Sequence, residues 1–162
     1  MRRANKEIVD KEQVVALLRT APVGRLGTLR SDGYPMVKPL NFVCHGQHIY
    51  FHGAGEGEKI SDIRRHPKVC FEVDLPIGYV EATDDPCGAF FRYRSVIILG
   101  KAFVIEDPGE KRFALNALME KYQPAGGYGD PPAAKLAATA VVRIDIEEMT
   151  GKEDLRKILA ST

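Results

Sequence analysis

Val23-Gly24-Arg25-Leu26-Gly27-Thr28-Leu29-Arg30-Ser31-Asp32-Gly33-Tyr34-Pro35-Met36-Val37-Lys38-Pro39-Leu40-Asn41-Phe42-Val43, followed by Cys44-His45-Gly46-Gln47-His48-Ile49-Tyr50-Phe51-His52, is the stretch on which the fold turns. Residues 23–29 are short and β-compatible. Ser31-Asp32-Gly33 is turn chemistry, with Gly33 free to take positive φ. Residues 34–43 read as the returning strand. Pro35 and Pro39 cannot donate to a ladder, so this strand is expected at an edge or irregular. His45-Gly46-Gln47 is a second turn and residues 48–52 a third strand. Strand, turn, strand, turn, strand is an antiparallel meander.

The rest of the chain fits around that meander. Asp10 and Gln13 form a capping-box pattern ahead of Val14, Leu17, Leu18 and Ala21, which share a helical face. Residues 1–21 therefore read as an N-terminal helical appendage. Gly53-Ala54-Gly55-Glu56-Gly57-Glu58-Lys59 is a glycine-rich loop entering a short helix that Pro67 ends. Residues 69–73 read as a strand and residues 74–88 as a loop, with strand character near Tyr79 and Val80. Residues 90–105 are a long strand, and Gly100 is the expected place for a bend or bulge. Asp107-Pro108-Gly109-Glu110 combines an N-cap, proline at the first helical position and an acidic third residue. Leu115, Leu118, Met119 and Tyr122 would form that helix's inner face. Residues 123–132 are a surface loop and residues 141–146 a last strand. Thr150 and Glu153 suggest a capping box for a C-terminal helix, residues 150–162, carrying Leu155, Ile158 and Leu159.

The pattern contains about six strands and no βαβ alternation. It predicts a mainly β fold, a small antiparallel barrel with peripheral helices. The 162 residues form one domain in this reading. Lys and Arg total 23 against 22 Asp and Glu, so no basic excess points to nucleic acid. No apolar run approaches a membrane span, and no apolar core follows the basic N-terminus. A cytoplasmic protein with three free thiols, Cys44, Cys70 and Cys87, is the expectation.

The glycine-rich loop offers backbone N–H groups, a helix start and the Lys59 charge, which together favour an anion such as phosphate. It is neither a Walker A loop nor a Rossmann fingerprint, since Lys59 lacks the flanking residues and the glycines are spaced GxGxG. A plain flexible connection is the competing reading. His52 ends the third strand and shares a face with Tyr50, where it can contact a ligand or relay a proton, or simply be solvated. His45, His48 and His52 lack the partner spacing of a metal site, so no metal is expected. Arg92 and Arg94 share one strand face, as anion contacts or as a charged edge. No nucleophile motif is present. If the chain is an enzyme, a cofactor carries the chemistry.

Gly24-Arg25-Leu26-Gly27-Thr28, Asp32-Gly33-Tyr34-Pro35, Pro39-Leu40-Asn41-Phe42 and Ile49 through Gly57 with Lys59 together resemble the flavin-binding split-barrel proteins related to pyridoxamine 5′-phosphate oxidase. Within them the chain is most similar to the nitroimidazole-resistance group. Arg92-Tyr93-Arg94-Ser95-Val96 and Gly100-Lys101-Ala102 continue the likeness. The resemblance implies a six-stranded antiparallel split β-barrel and a homodimer with FMN at its interface. By position, Val37, Lys38, Pro39, Leu40 and Asn41 would meet the flavin ring, largely through backbone groups. His52 and Gly53 would lie near its phosphate side, and Lys59 would pair with the phosphate. Ser95 and its neighbour Arg94 would contact the cofactor. The oxidases carry an Arg-Lys pair where this chain has Glu58-Lys59, which halves the local positive charge. Their C-terminal Arg-x-His pattern is missing too, so pyridoxamine phosphate is not the implied substrate. The implied activity is FMN-dependent reduction of a small electron-poor substrate such as a nitroaromatic, fed by an external electron donor, with His52 as the candidate for proton supply. The alternative is a flavin- or haem-binding carrier or sensor without turnover, with His45, His48 or His52 as a haem ligand.

Overall fold

The computed structural model describes residues 4–83 and 85–156. Seven strands form one sheet: β1 (Gly24–Leu29), β2 (Pro35–Leu40), β3 (Val43–His45), β4 (His48–Ala54), β5 (Lys68–Val80), β6 (Phe90–Ile105) and β7 (Thr139–Asp154). Their order is β2-β1-β5-β6-β7-β4-β3, and every pairing is antiparallel. Four helices flank it: α1 (Lys11–Thr20), α2 (Glu58–Arg65), α3 (Pro108–Tyr122) and α4 (Ala133–Ala138). Leu26 and Phe71 from one half of the sheet share a single core cluster with Phe42, Ile49 and Phe51 from the other half. The sheet is therefore wrapped around its own inner face, as a split barrel requires.

The meander forms as its turn chemistry dictates, with Gly33 at φ 87° and Gly46 at φ 58°. β2, which carries both prolines, is an edge strand in unbroken register with β1. Its expected continuation to Val43 divides instead. Phe42 is fully buried and leaves the strand, and β3 resumes at Val43 against β4. The freed Phe42 N–H donates to the Tyr122 hydroxyl at 3.0 Å, and that hydroxyl donates to the Pro22 carbonyl at 2.9 Å. This division makes seven strands out of the expected six. Lys121, beside Tyr122, places its ammonium 3.6 Å from the Phe42 ring centroid, and burial lowers its pKa to about 8. Two helix starts follow their capping residues: Asp10 accepts from the Glu12 N–H, and Asp107 from that of Glu110.

Three expectations are corrected. Residues 74–80 are strand, not loop: β5 pairs with β6 out to Val80↔Phe90, and Pro76 is tolerated at a register shift between Pro76 and Gly78. The last strand runs to Asp154, so Thr150 and Glu153 cap no helix but pair with Ile97 and Arg94 of β6. Ile158 and Leu159 lie outside the described residues. The buried line of α3 is Lys111, Ala114 and Leu118, with Leu115, Met119 and Tyr122 only half-buried. The bulge at Gly100 is present as a shift between Leu99 and Gly100. No described helix is long and apolar enough to cross a membrane.

At the far end of β7 the buried Asp154 carboxylate is held by Lys6 and Arg156, the latter at 2.8 Å. Hydrogen bonds from Arg156 and then Lys6 hold its pKa well below the carboxylate range. A depressed folded pKa adds stability above the unfolded value of about 3.9, which is lost as pH falls through the folded one. Asp154→Asn should lower the melting temperature by roughly 5–10 °C at pH 7. The deficit should close as thermal melts are repeated below about pH 4.

Candidate functional site

β4 ends at Ala54, and Gly55, Glu56 and Gly57 lead into α2. Gly57 is the residue before the helix, at φ 121°, a conformation that L side chains resist. No side chain caps this helix start. Lys59 lies in its first turn and folds back over β4. Its ammonium is 3.2 Å from the point where a Cβ on Gly53 would sit, and 5.0 Å from the Phe51 ring centroid. Glycine at 53 is what leaves room for that ammonium. Among the described residues no carboxylate lies within ion-pair distance of Lys59. Burial and then the charge of Lys38 lower its pKa. An under-compensated cation at an uncapped helix start is an arrangement that favours an anion.

Glu58 does not oppose that role. Lys38 reaches its carboxylate at 2.8 Å and Arg30 at 3.3 Å, while Arg30 also meets Asp32 at 3.1 Å. The negative charge that departs from the oxidase pattern is consumed on the β2 side, and Lys59 remains free of it. Arg30 was not among the residues singled out from sequence. It lies in the turn between β1 and β2, and only the tertiary fold brings it to α2.

The structure thus gathers Lys38, His52, Gly53 and Lys59 at one end of the sheet. Alternation holds: Ile49 and Phe51 enter the main core, while Tyr50 packs in a second cluster and His52 is exposed. Partial loss of hydration and then the Lys59 charge push the His52 pKa down. Register puts Val37 and Pro39 on the outer face and Lys38 and Leu40 on the inner, with Asn41 exposed just beyond. Arg94 and Ser95 are not brought to this group. Arg94 pairs with Glu153 at 2.9 Å, and Ser95 lies opposite Asp74 and Lys152. The β6 residue level with His52 is Ile105, across Val141. At about 3.3 Å per residue, Ser95 lies on the order of 30 Å along the strand from it. His45 stacks edge-on against Phe113, and His48 lies 2.8 Å from Asp145. Among the described residues no group of three His, Cys, Asp or Glu could hold a metal ion.

A second feature adjoins the site. Paired residues Val37, Gly27, Cys70 and Leu99 run in a row across the outer face of β2, β1, β5 and β6. Val37 is 60% exposed, and Ile97, Leu99 and Phe103 extend the apolar strip along β6.

Residues 10–153 match the family described as pyridoxamine 5′-phosphate oxidase. The chain belongs to that family. It shares 28% identity and a TM-score of 0.80 with a provisionally named 5-nitroimidazole antibiotic resistance protein from Bacteroides thetaiotaomicron, over 91% of this chain and 86% of that one. With the flavocytochrome Anf3 from Azotobacter vinelandii it shares 27% identity and a TM-score of 0.87, over 99% and 75%. With an FAD-binding protein from Mesorhizobium loti it shares 26% identity and a TM-score of 0.63, over 90% and 96%. No curated protein matches the chain.

The coupling of Lys59 to His52 is directly measurable. In a pH titration followed by NMR, His52 should titrate below 6.5, its ordinary value. Lys59→Met should move it upward, since removing a neighbouring positive charge favours the imidazolium. An unmoved His52 would separate the two residues.

Proposed function

We propose that this family member is a flavin-dependent oxidoreductase that binds FMN through the Gly53–Lys59 loop and reduces a small electron-poor substrate, such as a nitroaromatic, at the expense of an external donor. One observation carries the reading: a half-buried lysine ammonium with no carboxylate in ion-pair range among the described residues, seated over Gly53 at an uncapped helix start. The family membership and the likeness to proteins named for flavins and nitroimidazole resistance support it.

The residues fit the group. When bound, the flavin supplies electron and hydride transfer. Lys59 pairs with the phosphate, and the loop N–H groups complete its hydrogen bonds. The backbone of Val37, Lys38, Pro39, Leu40 and Asn41 frames the ring beside the exposed outer face. His52, whose lowered pKa leaves it neutral at pH 7, donates a hydrogen bond to the substrate or relays a proton to it. Arg94 and Ser95, remote within one chain, enter the site from a second copy. That copy packs on the Val37, Ile97 and Leu99 face, and so buries the apolar strip.

Absorption spectra taken after FMN addition and desalting test this reading. Wild type should retain a flavin spectrum. Lys59→Ala should weaken binding about tenfold or more, by loss of a charge-assisted contact. Glu58→Gln, by releasing Lys38 and Arg30, should tighten binding a few-fold. A colourless wild type, or full FMN occupancy in Lys59→Ala at limiting FMN, overturns the proposal. Leu99→Lys should yield a monomer in sedimentation with flavin lost, because a charge inserted in an apolar interface is left unpaired.

A second reading, a flavin- or haem-binding carrier without turnover, draws on the likeness to a flavocytochrome. His45, exposed on β3, is the candidate axial ligand. A Soret band on haem addition, lost in His45→Ala, supports it.

A further inference from the structure

Three charged side chains are buried among the described residues: Asp62, Lys111 and Asp154. Asp62, 2% exposed, has Arg65 at 2.8 Å and the Thr28 hydroxyl at 3.1 Å. Asp154 has Lys6 and Arg156. Lys111 is 8% exposed, and its ammonium has only the Ala137 carbonyl at 3.4 Å. No described carboxylate lies within ion-pair distance of it. A lysine of this kind buries its stem against the protein while its ammonium lines a cleft, where a cation with no counter-charge of its own attracts an anion.

Two nearby acids, Asp107 and Glu110, are committed elsewhere. Asp107 accepts from the Glu110 N–H as the cap of α3, and Glu110 binds Arg143 at 2.8 Å and Tyr50 at 3.2 Å. Lys111 also sits near the positive end of the α3 dipole, which adds to its field. It lines a cleft of about 460 Å³ between α3 and α4, with Arg112, Glu106, Pro108, Ala133 and Leu136. That volume is in the range of small-ligand pockets. Lys111 also lines a smaller recess of about 130 Å³ with Arg64 and Gly55. Gly55 belongs to the same loop that carries Gly53 and leads to Lys59. Among the described residues Arg112 pairs only with the exposed Asp130, at 3.4 Å. The exposed Glu106 lines both the cleft and the recess and is suited to a hydroxyl donor on the same ligand.

We infer that the cleft between α3 and α4 is a second anion site, taking a phosphoryl group on Lys111 and Arg112. The chemistry has two sources. One is the distal phosphate of a flavin dinucleotide whose first phosphate is on Lys59; this source rests on the function proposed above. The other is a separate phosphorylated small molecule.

Binding of FMN, FAD and ADP to the full chain, wild type and Lys111→Met, tests the inference. If the phosphate is the dinucleotide's, wild type binds FAD at least tenfold tighter than FMN. Lys111→Met then abolishes the advantage and leaves FMN affinity unchanged. If the ligand is separate, FAD and FMN bind alike, ADP binds the FMN-loaded protein, and Lys111→Met weakens ADP at least tenfold. ADP binding that depends on Lys111 in a protein retaining no flavin supports this site and overturns the flavin reading alone. Equal FAD, FMN and ADP binding in wild type and Lys111→Met, or no binding of any probe, overturns the inference. Lys111→Met should melt within a few degrees of wild type, since methionine keeps the packing of the buried stem. Arg112→Gln, a half-exposed position, should weaken the same ligand several-fold. A destabilised Lys111→Met together with unchanged binding in Arg112→Gln assigns Lys111 a structural role and overturns the site.

Discussion

The whole molecule hangs on β6, which is hydrogen-bonded along nearly its full length on both sides, to β5 and to β7. Sixteen residues of strand cannot stay straight and also enclose a core this small. The relief is local. At Gly100 the register against β7 shifts, and a Cβ there would fall 2.3 Å from the Asp145 carbonyl oxygen. Only a residue without a side chain permits that approach, and the approach is what lets the two halves of the sheet curl toward each other. Val96, Ile98 and Ala102 then face inward while Ile97, Leu99 and Phe103 remain outside.

Closure of the sheet places the helices. With β1 and β4 on opposite sides of one core, α2 plugs an end of the barrel through Ile60 and Ile63. Its first turn falls between the end of β4 and the β1–β2 turn. That is why Lys59 meets Gly53 while Glu58, one residue earlier and turned away from it, meets Lys38 and Arg30. Two adjacent residues of opposite charge are sorted by the helix into separate environments. The local field at the loop is more positive than the pair Glu58-Lys59 suggests by composition.

Much of this was legible in the chain. Turn residues at Gly33 and Gly46, the capping aspartates Asp10 and Asp107, and the alternation in β4 are local effects, set within a few residues. The glycine-rich loop and Lys59 were visible for the same reason. The errors share a cause as well. Residues 74–80 and 150–154 carry weak local β signals, with Pro76, Gly78, Gly151 and Asp154 among them. Partner strands in β6, distant in sequence, override those preferences through a ladder of backbone hydrogen bonds.

The sequence by itself determined the antiparallel meander, the capped helix starts and the presence of a cation at a glycine-rich helix entry, because each depends on short-range sterics and hydrogen bonding. Tertiary structure alone decided which charges are compensated. Arg30 reaches Glu58, Lys6 reaches Asp154, and Lys59 and Lys111 are left without a carboxylate among the described residues, because ion pairing between distant segments depends on distances that only the closed sheet sets. The pairing of β4, β7 and β6 likewise sets Ile105, and not Arg94 or Ser95, level with His52, since each strand holds its residues at fixed spacing and only the ladder decides which residues stand side by side.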